Sequence, residues 1–402
     1  VETKTREQMS AELAEQLALA EDFELRLDVL RRFRNEEFLR IALNDLHGQI
    51  RQGGTARQLS LLAEVCLEHA WLIARQELAP RFGAPYADGA ADAPARETAF
   101  SVVGMGKLGG DELNYHSDLD IIFIYEEEGT TRPLPETDPV RYRQLSNHEY
   151  FAKLAQRIIT ILTLVTREGF VYKIDTRLRP SGNQGPLVTS LAAFRRYHCE
   201  AAQPWERQAM TKARALTGTP FFVEQVQSTI TRLTFERPLP DNLKAEIYRL
   251  RQRMEQEIAR ESEDLLNIKT GRGGMVDVEF IAQFLQLRYA VGIPALRIQN
   301  TVAVLDIMAA EQILPQADAD CLISGYKFLR RLENKLRLLY DQSINELSMR
   351  GSAFRKVARS LGYGGAEQKP EQALIEDYRQ ITEAIRQRME LYLNPGDVAS
   401  DE

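Results

Sequence analysis

Two aspartates separated by one residue, Asp118 and Asp120, close the glycine-rich stretch that begins at Gly104, and a third, Asp175, follows an aromatic and β-branched run. In a strand, residues i and i+2 project from the same face, so Asp118 and Asp120 point together while Leu119 and Ile121 turn away. Two carboxylates held in this way suit magnesium, which takes one or two carboxylates together with phosphate oxygens and water. A nucleoside triphosphate is the natural ligand, and Asp175 is the candidate third metal ligand. Two-metal phosphoryl transfer keeps its ions ~3.5–4 Å apart, one activating the attacking oxygen and one steadying the leaving group. A bare Asp-X-Asp more often only caps an exposed strand end. Here residues 121–125 are apolar at every position, which marks a strand covered on both faces and places the acids in a protected cleft.

The same stretch supports two other readings. Residues 104–109 spell GxGxxG after an apolar run, and Glu126 lies at about the ~20-residue offset of a ribose-binding acid. A parallel crossover, however, needs ~10–12 residues with a well-formed helix, and only residues 110–117 are available before Asp118. A phosphate loop requires Ser or Thr after its lysine, whereas Leu108 follows Lys107. The paired-acid reading therefore leads. Around it, Gly106, Lys107, Gly109, Gly110, Ser117, Arg177 and Arg179 are the candidate nucleotide contacts. Ser117 would bond the triphosphate or only cap the strand, and Lys107 would touch phosphate or point to solvent. Arg177 and Arg179 would neutralise phosphate or pair with the acids themselves, and the two roles can coexist.

These residues need elements to hold them. Helical spacing runs from Arg6 to about Glu77, with the pair Gly53 and Gly54 breaking it between helices, and residues 80–95 read as a surface loop. Residues 100–103 and 119–125 read as strands, residues 150–166 as a helix and residues 170–174 as a third strand. Beyond Ser190 helical periodicity dominates to Leu393, interrupted at Pro220, Pro238 to Pro240, residues 271–274 and residues 362–365. A boundary is expected near residues 235–241. Asp277 and Glu279 would lie ~200° apart around a helix and cannot easily share a ligand. The glycines before them could receive an anion, but a packing turn is the simpler role.

At 402 residues, more than one core is expected. Apolar residues make up 44% and charged residues 27%, ordinary proportions for a folded chain. A net charge of −7 does not favour a polyanion, so nucleic acid is not the expected partner. Cys66, Cys199 and Cys321 show no metal-ligand spacing and read as packing residues in a reducing cytosol. The apolar runs are too short for a membrane span and the first 20 residues are charged, so a cytoplasmic location is expected. A first residue of Val suggests a piece of something longer.

The strings GMGKLGGDELNYHSDLDIIFIY, GFVYKIDTRLRPSGNQGPLVTS and PWERQAMTKAR, in that order, resemble glutamine synthetase adenylyltransferase. Further on, Asn267, Ile268 and Lys269 followed by GRGGMVDVEFIAQFLQLRYA resemble the start of the helical domain of that family, and the likeness covers residues ~25–390. Members carry two similar halves, one adding AMP to a tyrosine of glutamine synthetase and one removing it by phosphorolysis. The spellings LRRFRNEEFLRIA, SDLDIIF, DTRLRPSG, LVTS and VDVEF look more like the carboxy-terminal, adenylylating half, while GMGKLGG, WERQAM and FLRRLEN also suit the other.

The resemblance implies an α+β fold. A polymerase-β-like nucleotidyltransferase mixed sheet flanked by helices would occupy residues 1–235 (leading helices 1–80, core 96–235), and an all-α bundle residues 236–402. It also implies metal binding by Asp118, Asp120 and Asp175, with two Mg2+ ions and ATP as substrate. Attack by a tyrosine hydroxyl on the α-phosphorus would expel pyrophosphate, with Asp175 activating the hydroxyl. Glutamine synthetase, a PII-type signal protein and glutamine as effector are the implied partners. One departure is Lys107, where a small residue often follows the glycine at 106. The rival readings are the deadenylylating half and an idle module that senses glutamine or a signal protein.

Overall fold

The computed structural model describes residues 3–50, 52–88, 96–262, 264–350, 352–364 and 369–396. In chain order the elements are α1 (Arg6–Ala18), α2 (Phe23–Leu46), α3 (Gln52–Phe82), β1 (Ala84–Ala87), β2 (Phe100–Gly104), α4 (Gly106–Gly109), β3 (Leu119–Tyr125), β4 (Gly129–Arg132), α5 (Asn147–Thr163), β5 (Ile174–Asp175), β6 (Val188–Ser190), α6 (Leu191–Glu200), α7 (Pro204–Ala209), β7 (Arg214–Gly218) and α8 (Pro220–Phe235). They continue as α9 (Leu243–Met254), β8 (Leu265–Asn267), α10 (Met275–Tyr289), α11 (Thr301–Ala310), α12 (Gln316–Tyr340), β9 (Glu346–Ser348), α13 (Ser352–Ser360) and α14 (Pro370–Leu393). The fold is mixed α and β, mostly helical. It divides into two units, one formed by Val1–Leu113, Ser117–Ala202 and Lys212–Leu233, the other by Asn114–His116, Gln203–Thr211 and Thr234–Glu402. No helix among the described residues is long and apolar enough to cross a membrane.

In the first unit β3 is the centre of a five-stranded mixed sheet ordered β5-β3-β2-β7, with β6 also on β3. Its continuous apolar run is the reason: Ile121, Ile122, Phe123, Ile124 and Tyr125 are all buried, as a strand covered on both faces requires. β2 and β7 are antiparallel neighbours, whereas β5 and β6 run parallel to β3 at its two ends. Helix α5 starts with a capping box, in which the Ser146 hydroxyl accepts from the Glu149 amide and Glu149 accepts from the Ser146 amide. Its apolar stripe packs on the sheet, and Phe151 stacks on Phe100 and Tyr125 with centroids 5.4 and 5.1 Å apart.

The buried Asn147 at the head of α5 donates to Tyr86 O (3.0 Å), Thr98 Oγ1 (2.9 Å) and Glu127 O (3.0 Å), tying the helix to the two-stranded β1–β4 sheet. Asn147→Ala strands these acceptors and is expected to cost about 1–3 kcal/mol, read as a lower urea midpoint of the transition reported by Trp71 on α3.

The second unit is built around α10, whose buried residues surround it on all sides instead of forming one stripe, the pattern of a central helix. Met275, Val278, Ile281 and Leu285 share a core with Leu329 and Leu332 of α12 and Ile385 and Met389 of α14. The turn before α10 is a packing feature. The Gly273 amide donates to Asp277 Oδ2 (2.9 Å), and Asp277 is bonded to the buried Arg251. Glu279 faces elsewhere and accepts from the Tyr326 hydroxyl (2.9 Å).

Several sequence expectations shift. The break before α3 falls at residues 47–50, with Gly48 in the left-handed region, and Gly53 and Gly54 lie inside the first turn of α3. Residues 80–88 are not a loop: α3 continues through Pro80 to Phe82 and β1 follows, while residues 89–95 of that expected loop lie outside the described residues. The third strand is only Ile174–Asp175, since residues 170–173 follow the turn at Gly169 without joining the sheet. The mostly helical stretch after Ser190 hides β7, β8 and β9, short strands fixed by their pairing partners and too brief to show a period. Gly365 of the expected break at residues 362–365 also lies outside the described residues. Cys66 is buried and its thiol is pushed up to about 12 by desolvation, but Cys199 is exposed and is not a core residue.

Candidate functional site

The antiparallel pairing of β2 with β3 decides among the three readings of the glycine stretch. A dinucleotide fold needs a parallel crossover there, and the connection here is instead the single turn of α4. Glu126 is also engaged, accepting from the Ala99 amide (3.2 Å) and Arg96 Nη1 (2.8 Å).

Asp118 stands exposed just ahead of β3, and Asp120 is half-buried within it. β5 pairs with β3 in parallel register, Leu119 opposite Ile174 and Asp120 opposite Asp175. Paired residues of neighbouring strands project to the same side, so Asp120 and Asp175 face one side of the sheet edge, and Asp118, just ahead of β3, lies near enough for its charge to reach the same Arg177. The glycine turn closes over Asp120. The Met105 amide donates to Asp120 O (2.8 Å), and Gly106, at φ +52°, lies so close that a Cβ there would sit 2.7 Å from Asp120 Oδ2. Only glycine combines that conformation with that approach. At the end of α4, a Cβ on Gly109 would sit 1.7 Å from Lys212 O, a backbone atom that cannot yield.

Arg177 is the cation among these acids. Its backbone amide and Nε reach Asp175 Oδ1 at 2.8 and 3.0 Å, and Nε reaches Oδ2 at 2.8 Å. The bonds to Asp175 raise the guanidinium pKa further above its ordinary value, and the charges of Asp120 and Asp118 add to the effect. Conversely, hydrogen bonding from Arg177 holds Asp175 below the usual carboxylate range. Arg179 does something else: it donates to Thr176 O (2.9 Å), Thr176 Oγ1 (2.9 Å) and Pro186 O (3.1 Å), bracing the loop after β5. Lys107 and Ser117 are half-buried at the two ends of the connection, and the Gly110 amide closes α4 on Gly106 O (3.2 Å).

Among the described residues, no group of three or more His, Cys, Asp or Glu side chains is gathered closely enough to hold a metal ion alone. The donor chemistry nevertheless fits magnesium. One carboxylate lies on β3 with a second just ahead of the strand, a third stands in register with the first, and a guanidinium already occupies their field. Magnesium completes its shell with phosphate oxygens and water, so such a set need not be closed by protein.

Arg177→Ala is expected to raise the titration midpoint of Asp175, read by carboxyl NMR. A depressed carboxylate stabilises the fold above its unfolded value of about 3.9 and loses that contribution as pH falls through the folded value. The parent protein should therefore show a small acid-side loss of stability below pH ~4 that the variant lacks. Because the Arg177 side chain is 73% exposed, solvent screening keeps the effect small.

Sequence reasoning missed Lys212, Arg214, Glu64 and Asp111, which surround the glycine turn from behind. The signals were the string PWERQAMTKAR, whose last residue opens β7, and GMGKLGGDELNYHSDLDIIFIY, which contains Asp111.

A family model for glutamate-ammonia ligase adenylyltransferase matches residues 1–229, and one for GlnD PII-uridylyltransferase matches residues 243–393. Proteins described as bifunctional glutamine synthetase adenylyltransferase/adenylyl-removing enzyme are similar along most of the chain. That of Nitrosococcus oceani is 35% identical over 93% of this chain and 37% of its own length. Those of Shewanella loihica and Pseudomonas aeruginosa are 34% and 37% identical, over 94% and 83% of this chain and 39% and 33% of their own lengths. The chain thus spans well under half the length of these relatives. With a match over more than half of its residues, the chain belongs to the glutamate-ammonia ligase adenylyltransferase family.

Proposed function

We propose that this chain is the adenylylating half of such an enzyme, moving AMP from ATP to a tyrosine of glutamine synthetase. The observation that carries nucleotidyl transfer is the register of Asp120 with Asp175 on parallel strands beneath the Gly106 turn, with Asp118 just ahead of β3. The choice of the adenylylating half rests on the spellings LRRFRNEEFLRIA, SDLDIIF, DTRLRPSG, LVTS and VDVEF. On this reading residues 1–235 form a polymerase-β-like catalytic domain and residues 236–402 a helical domain, and glutamine and a PII-type signal protein act as regulators.

Asp118 and Asp120 would hold magnesium, with Asp175 beside them, and the ion when bound supplies positive charge to the phosphate oxygens. The tyrosine oxygen forms a bond to the α-phosphorus as the bond to the bridging oxygen breaks and pyrophosphate departs. The hydroxyl proton passes to Asp175. While Arg177 holds it, that carboxylate is a weak base, since its pKa is depressed. The exposed guanidinium meets little packing if it turns towards the phosphates, and Asp175 then regains basicity as phosphate charge is neutralised. The glycine turn sets the distance between the nucleotide and Asp120, so positioning and electrostatics do most of the catalysis.

The test is incubation with magnesium, α-labelled ATP and unmodified glutamine synthetase, against a parallel reaction with phosphate and the modified enzyme. Label on tyrosine with release of pyrophosphate is expected. Release of ADP from the modified enzyme alone would assign the removing activity instead, and inactivity in both would leave a sensing module.

A further inference from the structure

Strand β7 begins where the glycine turn ends. Its first residue, Arg214, pairs in register with Gly104, the last residue of β2, and its guanidinium reaches back over the turn. Nε donates to Gly109 O (3.0 Å), and Nη2 lies within bonding distance of Leu108 O (3.2 Å), Asp111 Oδ1 (2.6 Å) and Glu64 Oε1 (2.6 Å). Two residues earlier, Lys212 Nζ donates to Glu112 Oε2 (2.8 Å), with both side chains buried. Lys212 O is also the atom packed against Gly109.

Carbonyls at the end of a helix run short of main-chain donors. In α4 the Gly106, Lys107 and Leu108 carbonyls accept from the Gly110, Glu112 and Asp111 amides (3.2, 2.8 and 3.3 Å), whereas the last, Gly109 O, takes the Arg214 guanidinium. The exit end of α4 is therefore held by Arg214, while its entry end is held by the Met105 amide on Asp120 O. Asp111, which leaves the turn in the left-handed region at φ 57°, is bonded to the same guanidinium. Glu64, on α3, anchors the clamp to a long helix and is almost fully buried.

We propose that Arg214, backed by Lys212, is a positioning residue that fixes the glycine turn against Asp120 and so sets where a nucleotide's phosphates lie. The proposal rests on the nucleotidyl-transfer reading of the site. Arginine is required because one planar fork serves two carbonyls and two carboxylates, whereas lysine offers a point charge with three donors.

The experiment compares Arg214→Lys and Arg214→Ala with the parent chain in two ways. Amide hydrogen exchange of residues 106–112 is followed without nucleotide, and AMP transfer is followed with magnesium and ATP. Both variants are expected to exchange at least about tenfold faster across the turn, with the rest of the first unit unchanged, as a local opening demands. Turnover should fall about 100-fold, the scale of an ångström-sized misplacement, with little change in KM for the protein substrate. Methylguanidinium should restore part of the Arg214→Ala turnover. If Arg214→Ala does not fold, Arg214→Lys carries the test. Parent-like exchange and turnover in Arg214→Lys would overturn the proposal, as would faster exchange spread evenly over the unit. A parent chain that transfers no AMP would instead defeat the functional reading, and the exchange arm would still decide the clamp.

Discussion

Asp120→Asn is expected to reduce the AMP transfer proposed for this chain by at least about 10²–10³-fold, the loss typical of removing one preorganised electrostatic group from an active site, while the thermal midpoint barely moves. Asparagine has nearly the same shape as aspartate. The main-chain contacts at this position, the Met105 amide on Asp120 O and the parallel pairing with Asp175, do not depend on the side-chain charge. The backbone approach at Gly106 also tolerates an amide of the same size. What disappears is one of the negative charges felt by Arg177 and offered to a cation. If Asp120 only closed a strand end, transfer would survive the substitution. Labelled-AMP incorporation into glutamine synthetase, set beside a melting curve, separates the two, and a variant as active as its parent removes Asp120 from the chemistry.

The acids were legible because a strand has a period of two and an uninterrupted apolar run has one plausible setting. Asp118, Leu119 and Asp120 followed by five apolar residues can face a cleft only if the strand lies at the centre of a sheet, and β3 does. The direction of its neighbours was less visible. Nothing in residues 104–117 says antiparallel except their shortness, and that was enough to disfavour a dinucleotide fold. The short strands outside an apolar run were the hard ones: β5 was read only as the end of a longer strand, and β6 and β7 carry no period of their own and exist because β2 and β3 offer unpaired edges. Since β7 was invisible, so was Arg214, whose role depends on where a strand in a seemingly helical stretch returns to the turn. Arg177 and Arg179 show the complementary limit. They sit two residues apart with similar surroundings in the sequence, yet one bonds an acid and the other braces a loop, a division set by the path of the chain after Asp175.

The largest expected effect on stability lies in the second unit, at Asp277. Arg251 has no solvent exposure at its side chain, and neither does Asp277; the two are directly bonded. Arg251 Nη2 also donates to Gly271 O (2.7 Å), and Asp277 Oδ2 accepts from the Gly273 amide. Arg386 of α14 lies 3.7 Å from the same carboxylate. One acid thus joins α9, α10, α14 and the turn of residues 271–274. Asp277→Ala leaves a buried guanidinium with the more distant Glu255 carboxylate, 3.5 Å away, as its remaining charge partner among the described residues, which should cost about 3 kcal/mol, whereas replacing both members by apolar residues of similar volume should recover most of that loss. A chain with two units need not unfold in one step, so the transition must be assigned. The two tryptophans allow this, Trp71 lying in the first unit and Trp205 in the second. In a Trp71→Phe background, the urea midpoint reported by Trp205 should drop sharply for Asp277→Ala and return most of the way in Arg251→Met/Asp277→Leu. An unchanged Trp205 transition in the single variant would mean that the pair bears no weight in this unit.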